Sequence, residues 1–132
     1  MTFMLDTDLC IYVINERDPN LRTKFNSHLG SLYVSSLSVA ELEYGVQKSK
    51  ARARNRRVLD EFLDYMNIVA FDDRAAASYG YARLQLEKKG IPVGPIDCFI
   101  AAHATSLDMT LVTNNEREFN RFPGLRVENW LG

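Results

Sequence analysis

Short apolar runs alternate along the chain with longer segments in which apolar residues recur every three or four positions. The short runs have the length of buried strands and lie at residues 3–5, 32–35, 68–71, 109–113 and 125–127. The periodic segments are typical of helices and lie at residues 7–16, 18–28, 38–47, 58–66, 72–89 and 97–107, with a helical turn at 114–119. Strands that alternate with helices predict an α/β fold, with a short parallel central sheet and helices on both faces.

The composition is that of an ordinary globular protein, with 46% hydrophobic and 25% charged residues. A chain of 132 residues is expected to form one domain, residues 1–132. The net charge of −1 excludes a generally basic surface, so any polyanion would need a local basic patch. Cys10 and Cys98 form no disulfide framework, and no secretory leader or membrane-length apolar run is visible, so a cytoplasmic protein is expected.

Three acidic residues occupy positions at which an α/β fold would bring them together. Asp6 ends the first strand, Glu41 lies within an apolar helix that Ser36 or Ser38 could cap, and Asp97 opens another apolar helix. Ligands of parallel sheets bind at the carboxyl ends of the strands, where Asp6 is expected. A carboxylate in apolar surroundings is costly unless it is paired, protonated or bound to a cation. A shared site for a divalent metal ion is therefore predicted.

Each acid also has a purely structural interpretation. Asp6 could cap the following helix, Glu41 could belong to a buried salt bridge, and Asp97 could be a first-turn carboxylate favoured by the helix dipole. Glu43 points away from Glu41 and is expected to be an ordinary solvated acid. The joint pattern of two inward-facing acids and a strand-end acid favours a site.

Oxygen ligands without sulfur or imidazole select hard cations, Mg²⁺ or Mn²⁺. Asn115, after the fourth strand, could contact a water molecule at the cation. Glu118 could serve as a fourth carboxylate or be a surface charge. His28 and His103 are expected to be core or surface histidines and not ligands.

A strongly basic run is the local patch able to hold an RNA backbone. Its members are Lys48, Lys50, Arg52, Arg54, Arg56 and Arg57. A solvated helix start is the alternative interpretation. Four tyrosines are expected in helix packing, or in a dimer or antitoxin surface, rather than in base stacking: Tyr12, Tyr44, Tyr79 and Tyr81.

Four motifs, taken in order, resemble those of the PIN-domain ribonucleases and, more narrowly, of the VapC toxins of type II toxin–antitoxin systems. They are residues 4–8, 40–45, 94–104 and 112–119, and the similarity spans the whole chain. The resemblance implies an α/β/α sandwich and a Mg²⁺- or Mn²⁺-dependent endoribonuclease. It also implies tRNA as the substrate, a homodimer, and neutralisation by a cognate VapB-like antitoxin.

The same resemblance suggests roles for individual residues. Asp6 and Asp97 would be the metal ligands, and Glu41 would complete an acidic triad. One carboxylate, Glu41 or Asp97, would orient or deprotonate the attacking water. Asn115 stands where many relatives have a fourth acid, and Glu118 would compensate for it. The hydroxyls of Thr7 and Thr113 would position ligands or phosphate.

Two rival functions remain at this stage. Asp6-Thr7-Asp8 after an apolar strand resembles the nucleophile motif of haloacid dehalogenase-type phosphatases, although Cys10 stands where Thr or Val is expected. A non-catalytic interaction module is the other rival, favoured by Asn115 in place of an acid.

Overall fold

The computed structural model describes residues 1–131, and within them lies a five-stranded parallel sheet in the order β3-β2-β1-β4-β5. The strands are β1 Phe3–Leu5, β2 Leu32–Ser35, β3 Asn67–Val69, β4 Thr110–Val112 and β5 Arg126–Glu128. The helices are α1 Thr7–Ile14, α2 Pro19–Ser27, α3 Ser36–Lys48, α4 Arg52–Asp64, α5 Asp73–Lys88, α6 Pro95–Ser106 and α7 Glu116–Phe119. The predicted α/β fold with a parallel sheet is confirmed.

Two apolar clusters cover the two faces of the sheet. Successive strand side chains point to opposite faces, so Phe3 and Leu5 pack with α1, α2 and α4, whereas Met4 packs with α5 and α6. Both faces of the central strands are therefore covered, and every residue of β1 and β4 is buried. None of the helices in residues 1–131 has the length and apolar character needed to cross a bilayer.

The strand order creates a switch point between β1 and β4. The chain builds β2 and β3 on one side of β1 and then returns to build β4 and β5 on the other. Leu5 is aligned with Val112, so Asp6 and Thr113 follow paired residues at the same edge of the sheet. Crevices at such switch points, beyond the carboxyl ends of the strands, are where α/β sheets bind ligands.

Most predicted boundaries differ from the observed ones by one or two residues, and the two largest differences have a physical reason. The third strand was expected at residues 68–71, but β3 ends at Val69 because Phe71 leaves the sheet to pack against Phe99 and His103. β3 is an edge strand, and its Ile68 is 51% exposed instead of buried. The fourth helix begins at Arg52, six residues before its apolar stripe, because exposed arginines continue a helix without contributing to the apolar pattern.

The cap of α3 is Ser35, so the prediction of Ser36 or Ser38 is wrong. β2 runs directly into α3, and its last residue already has the extended conformation that an N-cap requires. The Ser35 hydroxyl accepts the Leu37 N–H at 3.1 Å and lies 2.8 Å from Nδ1 of His103. Burial lowers the pKa of His103, so the neutral ring donates to the Ala70 backbone and accepts from Ser35. His103 was expected in the core or at the surface, and the structure places it in the core.

Replacement of Ser35 by Ala is expected to lower the free energy of unfolding by about 1–3 kcal/mol, because it removes a helix cap and leaves a buried imidazole nitrogen unsatisfied. Urea denaturation measures the change. Ser49→Ala, at the partly exposed C-terminal end of α3, is the matched control and should cost less than about 0.5 kcal/mol. Equal losses for the two variants would contradict the assigned role of Ser35.

Candidate active site

Asp6 is the buried carboxylate at the centre of the sheet edge. Its Oδ1 accepts the Leu9 N–H at 2.8 Å, so Asp6 does cap α1. Capping uses one of its two carboxylate oxygens. Its Oδ2 accepts the Thr113 hydroxyl at 2.5 Å, which joins the ends of β1 and β4. Each carboxylate oxygen has a second lone pair, so Asp6 can cap α1 and still offer oxygen to a cation.

Glu41 reaches the same edge from α3. Its Oε1 lies 2.6 Å from the hydroxyl of Thr7, which is also 2.9 Å from the hydroxyl of the fully buried Ser38. A hydroxyl has one proton and the carboxylate can only accept, so Ser38 donates to Thr7 and Thr7 donates to Glu41. In the described part of the chain Glu41 forms no ion pair, so the salt-bridge interpretation is wrong.

Asp97 and Glu118 form the third side of the cluster. Asp97 lies in the first turn of the 12-residue helix α6, and Glu118 is close enough to raise its pKa, both by its charge and by accepting a hydrogen bond from the protonated Asp97. Glu118 is held in turn by Asn115, whose side-chain amide donates to its Oε2 at 2.8 Å. The Asn115 backbone N–H donates to the Thr113 hydroxyl at 3.0 Å. The chain after β4 therefore positions Glu118, and not Asn115 itself, against Asp97.

Burial and mutual repulsion disfavour the charged forms of these acids. Burial raises the pKa of Asp6 to about 6, with smaller contributions from the charges of Asp8 and Glu41. Burial also raises the pKa of Asp97 to about 7, helped by the hydrogen bond to Glu118 and by the charges of Glu118, Asp6 and Asp8. Acids that are distant in sequence therefore interact electrostatically in the fold.

A hard divalent cation fits the chemistry of this donor set. Carboxylate and hydroxyl oxygens converge on the sheet edge, while His103 is used in the core and Cys10 is fully buried. In residues 1–131, however, no three acidic, histidine or cysteine side chains are arranged so that they could hold one ion between them. These acids instead accept hydrogen bonds from other groups of the protein. A divalent cation shared by Asp6, Glu41 and Asp97 therefore stays a prediction.

Sequence reasoning missed two members of this cluster. Ser38 was considered only as a cap, since a buried serine has no pattern that would reveal its partner. Asp8 is exposed, but its charge acts on both Asp6 and Asp97. Asp8 follows Thr7 directly and lies in the first turn of α1, next to Asp6. This position could have predicted that its charge acts on the cluster.

The basic run is largely exposed, with one exception. Lys48, Lys50, Arg52, Arg54 and Arg57 are exposed. The guanidinium of Arg56 instead donates to both oxygens of Glu43, at 2.5 and 2.9 Å, and to Asp60 at 2.9 Å.

Both Arg56 and Glu43 therefore differ from expectation. Arg56 is engaged by two carboxylates and is not a free phosphate contact. Glu43 is an ion-paired acid, because α4 packs beside α3 and brings Arg56 against it.

The site and fold have close counterparts among known proteins. The family model of the PIN domain matches residues 3–125. A tRNA(fMet)-specific endonuclease VapC of Salmonella typhimurium is 42% identical over 130 residues, which cover 98% of each chain. Ribonuclease VapC2 of Haemophilus influenzae is 43% identical over 131 residues, or 99% of each chain.

Solved structures agree with these relatives. DNA-bound VapBC from Salmonella typhimurium matches with a TM-score of 0.94 and 42% identity, over 98% of each chain. VapBC2 from Rickettsia felis, bound to a DNA fragment from its promoter, matches with a TM-score of 0.93 and 40% identity, over 98% of this chain and 99% of the other. The chain belongs to the PIN-domain family and, within it, to the VapC ribonucleases. The phosphatase alternative is excluded.

Replacement of Asp97 by Asn is expected to stabilise the protein in EDTA at pH 8 by about 1 kcal/mol, a gain limited by solvent screening of this half-buried side chain. The folded-state pKa of Asp97 is raised from 3.8 to about 7, so its charge opposes folding fully above pH 7 and not at all below about 3.8. The gain should therefore disappear on acidification. Urea denaturation of both proteins at pH 8 and at a pH near 3.8 measures the difference in the free energy of unfolding.

The same comparison tests the predicted cation site. Added Mg²⁺ or Mn²⁺ should stabilise the wild-type protein and stabilise Asp97→Asn much less. Glu61→Gln, which neutralises an exposed acid on α4, is the matched control and should respond to metal as the wild type does. An equal response of Asp97→Asn and the wild type would contradict a cation bound by Asp97.

Proposed function

We propose that this protein is a divalent-metal-dependent endoribonuclease toxin that hydrolyses a phosphodiester bond of tRNA and is neutralised by a cognate VapB-like antitoxin. The observation that carries the proposal is the electrostatic interaction of acids at the β1–β4 switch point: Glu41 acts on Asp6, and both Asp6 and Glu118 act on Asp97. The 42% identity to a tRNA(fMet)-specific endonuclease supports the choice of initiator tRNA as the substrate.

Asp6 and Asp97 are the residues that would hold the cation, Mg²⁺ or Mn²⁺. Both carry oxygen donors, and both have a pKa raised by burial and by neighbouring acids, so a bound cation would relieve the repulsion between them. When bound, a divalent cation supplies Lewis-acid chemistry: it polarises a phosphoryl oxygen and makes water more acidic.

Glu41 is suited to accept a proton from the attacking water. Its Oε1 is fixed by Thr7, and Oε2 accepts no hydrogen bond from residues 1–131, so one oxygen is oriented and the other is available. The hydroxyls of Thr7 and Thr113 each donate their single proton to a carboxylate. They therefore position the acids, and the alternative role of binding phosphate directly is less well supported.

The basic residues at the start of α4 would hold the RNA backbone. Arg52 and Arg54 lie in the first turn of α4, where the helix dipole is positive, so their charges are unfavourable without a counterion. An RNA phosphate would remove that repulsion. The five exposed members of the run, without Arg56, are proposed as phosphate contacts.

The partners follow from the relatives. Similar solved structures are VapBC complexes, and we infer a VapB-like antitoxin for this chain. A homodimer is also proposed, with the exposed apolar residues Tyr81 and Leu84 of α5 as contacts. The RNA substrate and the free buried thiols Cys10 and Cys98 favour the cytoplasm.

Purified, antitoxin-free protein is expected to cut a tRNA(fMet) transcript in Mg²⁺ or Mn²⁺ and to stop when EDTA is added. Asp97→Asn should lower the rate at least about 100-fold, because it removes a charge that binds the cation. Gel electrophoresis of end-labelled RNA measures both effects. Glu61→Gln serves again as the control. Cutting that resists EDTA, or that is unaffected by Asp97→Asn, would contradict the mechanism, and no cutting of any RNA would favour the non-catalytic module.

Ser38→Ala is expected to lower kcat about 5-fold with little change in KM, because Thr7 loses its donor and holds Glu41 less firmly. The pH–rate profile should change with kcat if Glu41 is the proton acceptor, whereas a purely structural effect would leave its shape intact. Ser106→Ala, which removes a hydroxyl bond to the His103 carbonyl on α6, is the control. An unchanged kcat for Ser38→Ala would contradict the relay from Ser38 to Glu41.

A further inference from the structure

We infer that Tyr44 and Lys48 form a nucleotide-binding subsite next to the acidic cluster. Tyr44 would stack on a base beside the cleaved bond, and Lys48 would bind the adjoining phosphate. This inference rests on the proposed RNA-cleaving function, and it adds a single-stranded RNA segment as the occupant of a particular groove.

The groove connects directly with the acidic cluster. Its volume is about 630 Å³, and Thr7, Asp8 and Glu41 are among the residues that line it. Tyr44 and Lys48 line the α3 wall, and Ile96, beside Asp97, lines another part. A strand of RNA whose phosphate lies at Glu41 can therefore continue along α3 without leaving the groove.

The order of residues along α3 suits a nucleotide chain. Tyr44 follows Glu41 by three residues and Lys48 follows Tyr44 by four, so consecutive members lie about one helical turn apart on neighbouring positions of one face. The sequence along that face is a proton acceptor, an aromatic ring and a cation. A nucleotide chain offers a phosphate, a base and the next phosphate in the same order.

Tyr44 has no packing role that would explain an aromatic ring at this position. Its side chain is 65% exposed, so of the expected roles helix packing is wrong for this residue, and a dimer or antitoxin surface stays a prediction. Tyr79, by contrast, stacks on Phe99 with ring centroids 4.0 Å apart. The contact of the Tyr44 ring is with the Lys48 ammonium, 5.2 Å from its centroid. A ring has two faces, so a base can stack on the other one.

Charge decides in favour of RNA as the occupant. The acidic cluster repels a phosphate backbone, so the strand must be held by cations just outside the cluster. Lys48 is such a cation, and the exposed Lys50 and Arg52 continue the basic surface beyond it. Arg56 cannot supply this charge, because Glu43 and Asp60 already engage it.

The test compares Tyr44→Leu with Tyr44→Phe. Leu keeps an apolar side chain but removes the stacking face, and Phe keeps the face, so Leu should raise KM for a tRNA(fMet) transcript about 5- to 100-fold while Phe should not. The kcat should change little. Tyr65→Leu, which removes a similarly exposed tyrosine at the C-terminal end of α4, is the matched control.

A second arm removes the base instead of the ring. Once the cleaved bond is mapped, transcripts with an abasic nucleotide on either side of it are offered to the wild type and to Tyr44→Leu. One abasic position should raise KM for the wild type and have no further effect on Tyr44→Leu. If each abasic transcript raised KM as much for Tyr44→Leu as for the wild type, the two effects would be independent, and the stacking contact would be overturned. Lys48→Gln should reduce the slope of log affinity against log salt by about 0.7, the value for one phosphate of a single strand.

Binding to the same transcript in EDTA separates this inference from the proposed function. Weaker binding by Tyr44→Leu, with no cleavage by the wild type in Mg²⁺, would support the subsite and contradict the nuclease. Normal cleavage and unchanged RNA affinity for Tyr44→Leu would overturn the subsite and leave the nuclease in place. Loss of antitoxin binding with unchanged RNA affinity would likewise overturn it, since the groove would then be a protein-binding surface.

Discussion

The hydrogen bond from Thr113 to Asp6 is the interaction on which the site depends. It joins the ends of β1 and β4, two strands more than 100 residues apart in sequence, at the point where the strand order reverses. Asp6 also caps α1, and Thr113 also accepts the N–H of Asn115. One short contact thus fixes the start of α1 and the chain that carries Glu118, and it sets the distance between the acids that those elements hold.

The acidic cluster destabilises the folded protein. Its presence is understandable if the proposed function requires a bound cation. Burial and repulsion raise the pKa of both Asp6 and Asp97. Their charged forms therefore destabilise the folded protein at neutral pH. A bound divalent cation would remove the repulsion between the acids. In the proposed mechanism, cationic side chains outside the cluster attract the RNA backbone, and Lys48 lines the groove beside α3.

The fold could be predicted from the sequence because strands and helices have local sequence patterns. Apolar runs and helical periodicity do not depend on distant residues, and all five strands and the main helices were expected. Asp6, Glu41 and Asp97 were selected as candidates because a carboxylate in an apolar segment is unusual, and their role as a metal site stays a prediction. The role of Ser38, the cap at Ser35 and the engagement of Arg56 by Glu43 depend on contacts between elements, which composition and spacing do not contain. The exposure of Tyr44 was missed for the same reason.

The most direct test of the account is the position of a bound Mn²⁺ in crystals of metal-free protein soaked in MnCl₂, located by its anomalous scattering. The account predicts a peak at the β1–β4 edge within about 2.0–2.3 Å of carboxylate oxygens of both Asp6 and Asp97. A peak coordinated by neither residue would contradict it. So would the absence of a peak at a Mn²⁺ concentration that supports RNA cleavage in solution.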